Sequence, residues 1–308
     1  MHFLEDTLRS RLLAILFAQF LLLVAAAPAQ DLGPHFKKIK DGIYVESAAE
    51  ANSNCGIIIT NEGVVLIDSG HNPTDSREVL AAVKKLTPLP IRFLIDTEVH
   101  PDHTSGHFVF SPPATIIAHH GTGEAMRKAY DPARIPGLIK QFPEMATAAE
   151  GYHLVPPQIE YNEHLTLILG ERTFELIRLR NVHSEADTAI WLPNERVLFA
   201  ASVAVPHSIN NIRSFVRIPD MLAAMDTLKK LGPEVVIAGH GAPGTAQIFD
   251  DAEAYYHLLV DRVAEMARNG KSLDQIKQEL RMPEYSGWLN QDRMPTNIEA
   301  AYRAVQGQ

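Results

Sequence analysis

Short apolar runs alternate with polar punctuation along most of this chain, and the period of the alternation separates strands from helices. Phe36 to Asp68 reads as consecutive strands: Gly42-Ile43-Tyr44-Val45, Gly56 to Thr60 and Val64 to Asp68 are β-branched runs parted by turn residues such as Asn61-Glu62-Gly63. Asp75 to Leu86 sets Val79, Leu80, Val83 and Leu86 at helical spacing with Thr74 as cap, and Ile91 to Asp96 follows as a strand. Strand, helix, strand is the grammar of neighbouring strands with their helix outside, which predicts an α/β fold. Thr115 to Ala118 is a further strand, and residues 122 to 150 read as helices interrupted at Pro132 and Pro136. Leu165–Leu169 with Thr173–Leu179, and Ala189–Pro193 with Arg196–Ala200, read as hairpins. Pro219–Leu231 is an amphipathic helix, Glu234–Ala238 a buried strand, Ala246–Arg268 a long helix and Ser272–Leu280 a short one capped by Ser272. The tail from Arg281, with Tyr285, Trp288 and Tyr302, reads as a packed C-terminal helical extension.

The first residues follow another pattern. Arg9 and Arg11 precede the apolar segment Leu12 to Ala27, and Ala27-Pro28-Ala29 has small residues at cleavage spacing. Residues 1–29 are therefore expected to be a signal peptide, leaving 30–308 as one domain. A retained anchor is the alternative, although the segment is short for a membrane span. The expected location is secreted, periplasmic in a Gram-negative cell, without stable membrane association after cleavage. A net charge of -9 with no basic run argues against a nucleic-acid partner. Cys55 is the only cysteine, which excludes an internal disulfide, and within Asn54-Cys55-Gly56-Ile57-Ile58 it reads as a buried small hydrophobe.

The chemistry concentrates between Phe93 and His107. An apolar strand, Phe93-Leu94-Ile95, breaks into Thr97-Glu98-Val99-His100-Pro101-Asp102-His103. Pro101 prevents a regular ladder or helix through the middle, so the polar side chains are expected to leave a tight loop. On an extended backbone Glu98, His100 and Asp102 point one way, and His103 points elsewhere. Imidazoles and carboxylates are the nitrogen and oxygen ligands of zinc and similar divalent ions. Two isolated histidines at strand ends, His183 and His240, add to the set, and the glycines flanking His240 allow close backbone approach. His119-His120 is another candidate pair, read instead as structural or at a pocket edge. His71, two residues beyond the Asp68 turn, reads as a solvated loop histidine, with a place at the pocket wall as the alternative.

The central stretch resembles the metallo-β-lactamase-fold signature His-x-His-x-Asp-His, with Glu98 in place of its first histidine, and the resemblance extends over roughly residues 35–268. It implies a four-layer αββα sandwich. It implies one ion held by Glu98, His100 and His183 and a second by Asp102, His103 and His240, each with an open position for water. Asp68, in Ile67-Asp68-Ser69-Gly70, would support the site from behind. Ser202 stands where many relatives have a bridging aspartate. This resembles the third subclass of the family, in which a histidine directly after the motif aspartate, here His103, completes the second site. Ala204 stands where that subclass has a substrate-holding serine.

The implied cofactor is zinc, two ions per chain. Manganese or iron are alternatives, because Glu98 and Asp102 give the donor set two formal negative charges and make it harder. The implied chemistry is attack of a metal-bound hydroxide on a small-molecule carbonyl, with Asp102 orienting the nucleophile. β-Lactam hydrolysis is the first candidate. Lactone, ester or thioester hydrolysis is the second, suggested by the glyoxalase-like run Asp187 to Pro193, and non-catalytic metal binding is the third. His207, Asn210, Asn211 and Arg213 are candidate substrate contacts, and residues 119–150 a candidate lid or pocket wall.

Overall fold

The computed structural model describes residues 31–47, 52–141, 143 and 145–307; the expected signal peptide lies outside them. Chain contacts separate Met1–Leu32 from Gly33–Gln308, and the second unit is described below.

One sheet holds seven strands in chain order. β1 (Phe36–Lys40), β2 (Ile43–Glu46), β3 (Cys55–Ile59) and β4 (Val64–Ile67) run antiparallel, and β5 (Ile91–Ile95), β6 (Thr115–His119) and β7 (Ile159–Tyr161) extend the sheet in parallel. Each parallel step needs a crossover. The first is helix α1 (Pro73–Leu86); the second is a pair of single turns, α2 (Pro101–Thr104) and α3 (His107–Phe110). The third passes through α4 (His120–Ala129), α5 (Ile135–Gln141) and α6 (Met145–Ala148). The other sheet has five strands: β8 (His164–Leu169), β9 (Arg172–Leu179), β10 (Asp187–Leu192) and β11 (Val197–Phe199) are antiparallel neighbours. Helix α7 (Ile218–Lys230) then leads to β12 (Val235–Ile237), parallel to β11. Helices α8 (Gln247–Arg268), α9 (Leu273–Glu279) and α10 (Met294–Val305) complete the chain.

The alternation in the strands assigns the layers. Ile58, Val65, Ile67, Ile95 and Ile117 from the first sheet meet Phe174, Leu176, Ile190, Leu192, Phe199 and Ile237 from the second in one apolar cluster. Gly56 permits that approach, since a Cβ there would stand 2.5 Å from the Phe199 ring. The alternate residues Ile57, Leu66, Leu94 and Ile116 are buried on the outer face, where α1 and α3 pack. Beyond the second sheet, Trp191, Leu198 and Val236 pack with Met221, Met225, Phe249, Leu259 and Ile298 of the helices. The order is helix, sheet, sheet, helix, the expected αββα sandwich.

Three local expectations change. Asn72, rather than Thr74, caps α1: its Oδ1 accepts from the Thr74 and Asp75 amides at 2.8 and 3.2 Å, with Pro73 in the first turn. Pro101 does not exclude helix; it opens the turn α2, because the first position of a helix has no partner for an N–H. Pro136 sits in the first turn of α5 for the same reason and does not interrupt it. Strand β7 and helix α10 complete elements that the apolar pattern had not delimited.

Candidate metal centre

The sheets converge at one edge. β4, β5, β11 and β12 end there and β10 begins there, because β10 runs against β11. Two backbone bonds join the sheets at this edge: Thr188 N–H donates to Thr97 O at 2.7 Å and Asn54 N–H to Gly239 O at 2.8 Å. Asn54 Nδ2 also donates to Ala238 O (2.9 Å) and Gly241 O (2.7 Å), which holds the His240 turn. Gly239 leaves room for its neighbours, since a Cβ there would lie 2.4 Å from Ser202 Oγ.

Six donors gather at this edge in two groups: Glu98, His100 and His183, and Asp102, His103 and His240, the ligand atoms of each group lying within 4.8 Å of one another. The structure thus brings the sequence-predicted residues together in the predicted partition. Asp102 sides with His103, although an extended backbone had pointed it towards Glu98 and His100; the helical turn at Pro101 swings it across. The groups adjoin, with Glu98 Oε1 3.3 Å from His103 Nε2.

Glu98 is fully buried. Its Oε1 accepts from Ser202 Oγ at 2.6 Å; its Oε2 contacts His100 Nδ1 and lies 3.3 Å from His183 Nε2. Burial opposes its charge, yet the His103, His183 and His100 rings hold its pKa well below the usual carboxylate range. His103, also fully buried, places Nδ1 2.8 Å from Asp68 Oδ2 and Nε2 3.3 Å from His240 Nε2. Asp68 in turn accepts from the Thr97 amide (2.7 Å) and hydroxyl (2.6 Å). Burial pulls the His103 pKa down, but Glu98, Asp68 and Asp102 push it up to about 10. Metal binding at such a histidine would release its proton, because imidazole nitrogen holds an ion only when deprotonated.

The donor set fits divalent ions. Asp68 fixes the Nδ1–H tautomer of neutral His103, which turns the lone pair of Nε2 towards His240. Two imidazole nitrogens facing each other at 3.3 Å are reconciled by a shared proton or a cation.

His183 is placed by Asp187 at the start of β10. That carboxylate accepts from the His183 amide (2.8 Å) and from the Ser184 amide and hydroxyl. Burial pushes the Asp187 carboxyl up to about 6, against the His183 ring and these donors. Arg213 Nη1 donates to His183 O at 2.8 Å, so it braces the ligand loop. Asn211 and Arg213 line a cavity of about 470 Å³ with Phe215 and Arg303. His207 is exposed and packs its ring against Trp288 at 6.3 Å. Ala204 is buried. His119 accepts from the Gly121 amide, and His120 pairs with Glu160. Cys55 is buried and its thiol donates to Asp68 O at 3.2 Å.

Two neighbours of Asp102 change the sequence expectation: His71, read as a solvated loop histidine, stands at the site, and Ser53 was not singled out. His71 Nδ1 accepts from the Ser53 amide at 3.3 Å and lies 3.9 Å from Asp102 Oδ2. Ser53 Oγ donates to Asp102 O. Ser53 had no signal in the sequence, because it reaches Asp102 from a different strand boundary.

A helix–sheet–sheet–helix sandwich with two adjoining three-donor groups at the sheet edge defines a class of metal-site proteins. The chain belongs to the Metallo-beta-lactamase superfamily, whose profile matches residues 49–240. It is 23% identical over 265 residues to the linear primary-alkylsulfatase of Pseudomonas sp. (strain ATCC 19151), covering 72% of this chain and 48% of that protein. It is 27% identical over 186 residues to the 2,4-dinitroanisole O-demethylase subunit alpha of Nocardioides sp. (strain JS1661), covering 60% and 47%. The chain thus spans about half the length of these curated relatives. The solved structure of the stereoselective inverting sec-alkylsulfatase Pisa1 from Pseudomonas sp. superposes with a TM-score of 0.68 at 20% identity, over 87% of this chain and 50% of that one. At that identity the likeness speaks for the fold.

Proposed function

We propose that the chain is a metal-dependent hydrolase of a small-molecule substrate, with two zinc ions as its resident metals. The observation that supports this reading is the contact between the two donor groups, with Glu98 and His103 3.3 Å apart. Bound there, divalent ions supply Lewis acidity to a substrate oxygen and acidify a water towards neutral pH. The chain's own residues do the rest. Asp68 orients His103, Ser202 holds Glu98, and Asp187 with Arg213 fixes the His183 loop. Glu98 and His103 are fully buried and close the site from behind, whereas the Asp102 side chain is 32% exposed. Asp102 is thus the carboxylate at the open side, and in this reading it orients the attacking water.

Among substrates, sulfate esters come first, on the strength of the likeness to the linear primary-alkylsulfatase. β-Lactam amides are the second reading. They are favoured by Ser202 in place of a bridging carboxylate and its bond to Glu98. Lactones, esters and thioesters share the same attack. We propose further that the protein acts after export, on the basis of the Leu12–Ala27 segment; the N-terminus of the mature protein checks this.

The test is turnover by the zinc-loaded protein on alkyl sulfates of several lengths, a chromogenic cephalosporin, a lactone and an aryl ester, with Asp102→Asn in parallel. Sulfate release lost in the variant supports the first reading; cephalosporin turnover lost in the variant replaces it with the second. Two bound metals without turnover on any member would favour the non-catalytic alternative.

A further inference from the structure

A buried polar chain leads away from the metal centre into the C-terminal helices. Ser202 Oγ donates to Glu98 Oε1 at 2.6 Å, and Asn210 Nδ2 donates to Ser202 O at 2.7 Å. Asn297 Nδ2, from α10, donates to Asn210 O at 2.9 Å and to Arg293 O at 3.0 Å. Tyr255 OH, from α8, donates to Asn297 Oδ1 at 3.2 Å. Every residue from Glu98 to Tyr255 along this path is buried: Glu98, Ser202 and Asn297 at 0%, Tyr255 at 1% and Asn210 at 4% exposure. Polar side chains are rarely buried so completely without a task that apolar residues could not perform.

The same segment grips the rest of the loop after β11. Ser208 bridges to Leu289, Leu289 N–H donates to His207 O at 2.9 Å, and Ile209 N–H donates to Leu289 O at 3.0 Å. Arg293 Nη1 donates to Ile209 O and Arg303 Nη2 to Val216 O, each at 3.3 Å. That loop carries both Ser202, which touches Glu98, and Arg213, which touches His183. Two of the three donors of one group are therefore referenced to residues 285–305, which lie beyond the stretch matched by the family.

We propose that the C-terminal segment is a positioning element of the metal centre, with Asn297 acting through Asn210 and Ser202 to fix the Glu98 carboxylate. The proposal rests on the reading of Glu98, His100 and His183 as metal ligands. Ser202 is the last link, and its hydroxyl holds the Glu98 carboxylate through Oε1. Asn297 sets the loop from which Ser202 projects.

The experiment is cobalt(II) titration of the full chain, read by visible absorption. His183→Ala and His240→Ala assign the two binding phases. Ser202→Ala is expected to weaken the Glu98 phase by about 10–100-fold, as loss of a ligand's hydrogen-bond partner does. Asn297→Ala is expected to weaken the same phase by a smaller factor and to leave the His240 phase alone. The double variant decides the matter: if Asn297 works through Ser202, it binds no more weakly than Ser202→Ala alone. Multiplied effects, or equal weakening of both phases by Asn297→Ala, overturn the proposal. Val263→Ala, buried in α8 away from the path, is the control that should lower the thermal midpoint without moving either phase. Should Asn297→Ala not fold, Tyr255→Phe removes only the hydroxyl on Asn297 Oδ1 and repeats the test. Wild-type protein that binds no cobalt overturns the metal reading itself, a result distinct from any variant outcome.

Discussion

Asp68→Asn tests the organisation of the site with the least disturbance of the backbone. Asp68 sits at φ 59°, in the left-handed region that asparagine also tolerates, so the change removes charge at little conformational cost. The wild-type carboxylate, 2% exposed, accepts from the Thr97 amide, the Thr97 hydroxyl and His103 Nδ1 at 2.7, 2.6 and 2.8 Å. An asparagine presents an NH2 where one oxygen stood, so at least one donor meets a donor. Hydrogen bonds to charged groups contribute about 1.5–3 kcal/mol each, and the metal-free protein should lose about that much stability. The metal effect is separate. A ligand histidine that loses the partner fixing its tautomer costs about 10–100-fold in affinity, or about 1.4–2.8 kcal/mol. That loss should fall on the group of Asp102, His103 and His240, and the group of Glu98, His100 and His183 should keep its affinity. Competition against a chromophoric chelator measures both affinities, and thermal unfolding in excess chelator measures the stability. A lower midpoint with unchanged affinity in the His103 group would show that Asp68 supports only the fold, and the tautomer argument would be refuted.

Other perturbations separate charge, pairing and packing. Glu98→His removes one of two formal negative charges from the donor set and should raise zinc affinity at the first group; equal or weaker zinc binding in a metal titration would count against the charge argument. The buried His107 ring places both nitrogens at acceptors, Val155 O at 2.9 Å and Asp96 Oδ1 at 2.8 Å. Burial works against its charge but Asp96 raises its pKa above 6.5; burial also raises Asp96, and the two-acceptor geometry favours the charged ring. A raised imidazole stabilises the fold fully below pH 6.5 and loses that contribution as pH rises through its folded value. The thermal midpoint should thus decline on the alkaline side, and His107→Gln should flatten the decline. Arg172 donates to Ile59 O, Asp41 O and Glu195 Oε1 at 3.0, 2.7 and 2.9 Å; Arg172→Met strands all three and should cost about 3 kcal/mol in urea unfolding without altering metal affinity.

The central strands were legible because burial on both faces leaves short continuous β-branched and aliphatic runs, as in Val64–Ile67. The central motif was legible because four donors fall within six positions. His183 and His240 were legible as isolated polar residues at strand ends, and as ligands only through the family resemblance. What was illegible lies in partners far apart in sequence. Asp187 reads as the head of the glyoxalase-like run Asp187 to Pro193, yet it organises the His183 loop. Asn297 lies in a helix whose sequence shows only an amphipathic pattern, and nothing in that pattern points to Asn210, 87 residues away. The cap of α1 was misplaced by two residues because Pro73, compatible with the first helical turn, also reads as loop.

The partition of donors between the sheets has a thermodynamic consequence. Glu98, His100, Asp102 and His103 all follow β5 in the first sheet, whereas His183 precedes β10 and His240 follows β12 in the second. Among the described residues neither sheet alone offers a three-donor group of this kind; each group takes two donors from the first sheet and one from the second. An ion bound to either group therefore clamps the sheets at the edge already joined by the Thr188–Thr97 and Asn54–Gly239 bonds. Because unfolding separates the donors, binding is linked to folding. At a free zinc concentration a thousand times the dissociation constant, one site adds about 4 kcal/mol. With an unfolding entropy of about 2.1 cal/mol/K per residue, that raises the midpoint of a chain of this size by roughly 6–7 °C. Removing either cross-sheet histidine should erase the contribution of its own group and spare the other. His183→Ala and His240→Ala should each keep part of the zinc-induced rise, and the double variant should lose nearly all of it. A double variant that zinc still stabilises as fully as wild type would show that the ions bind on one sheet, and the clamp would have to be abandoned.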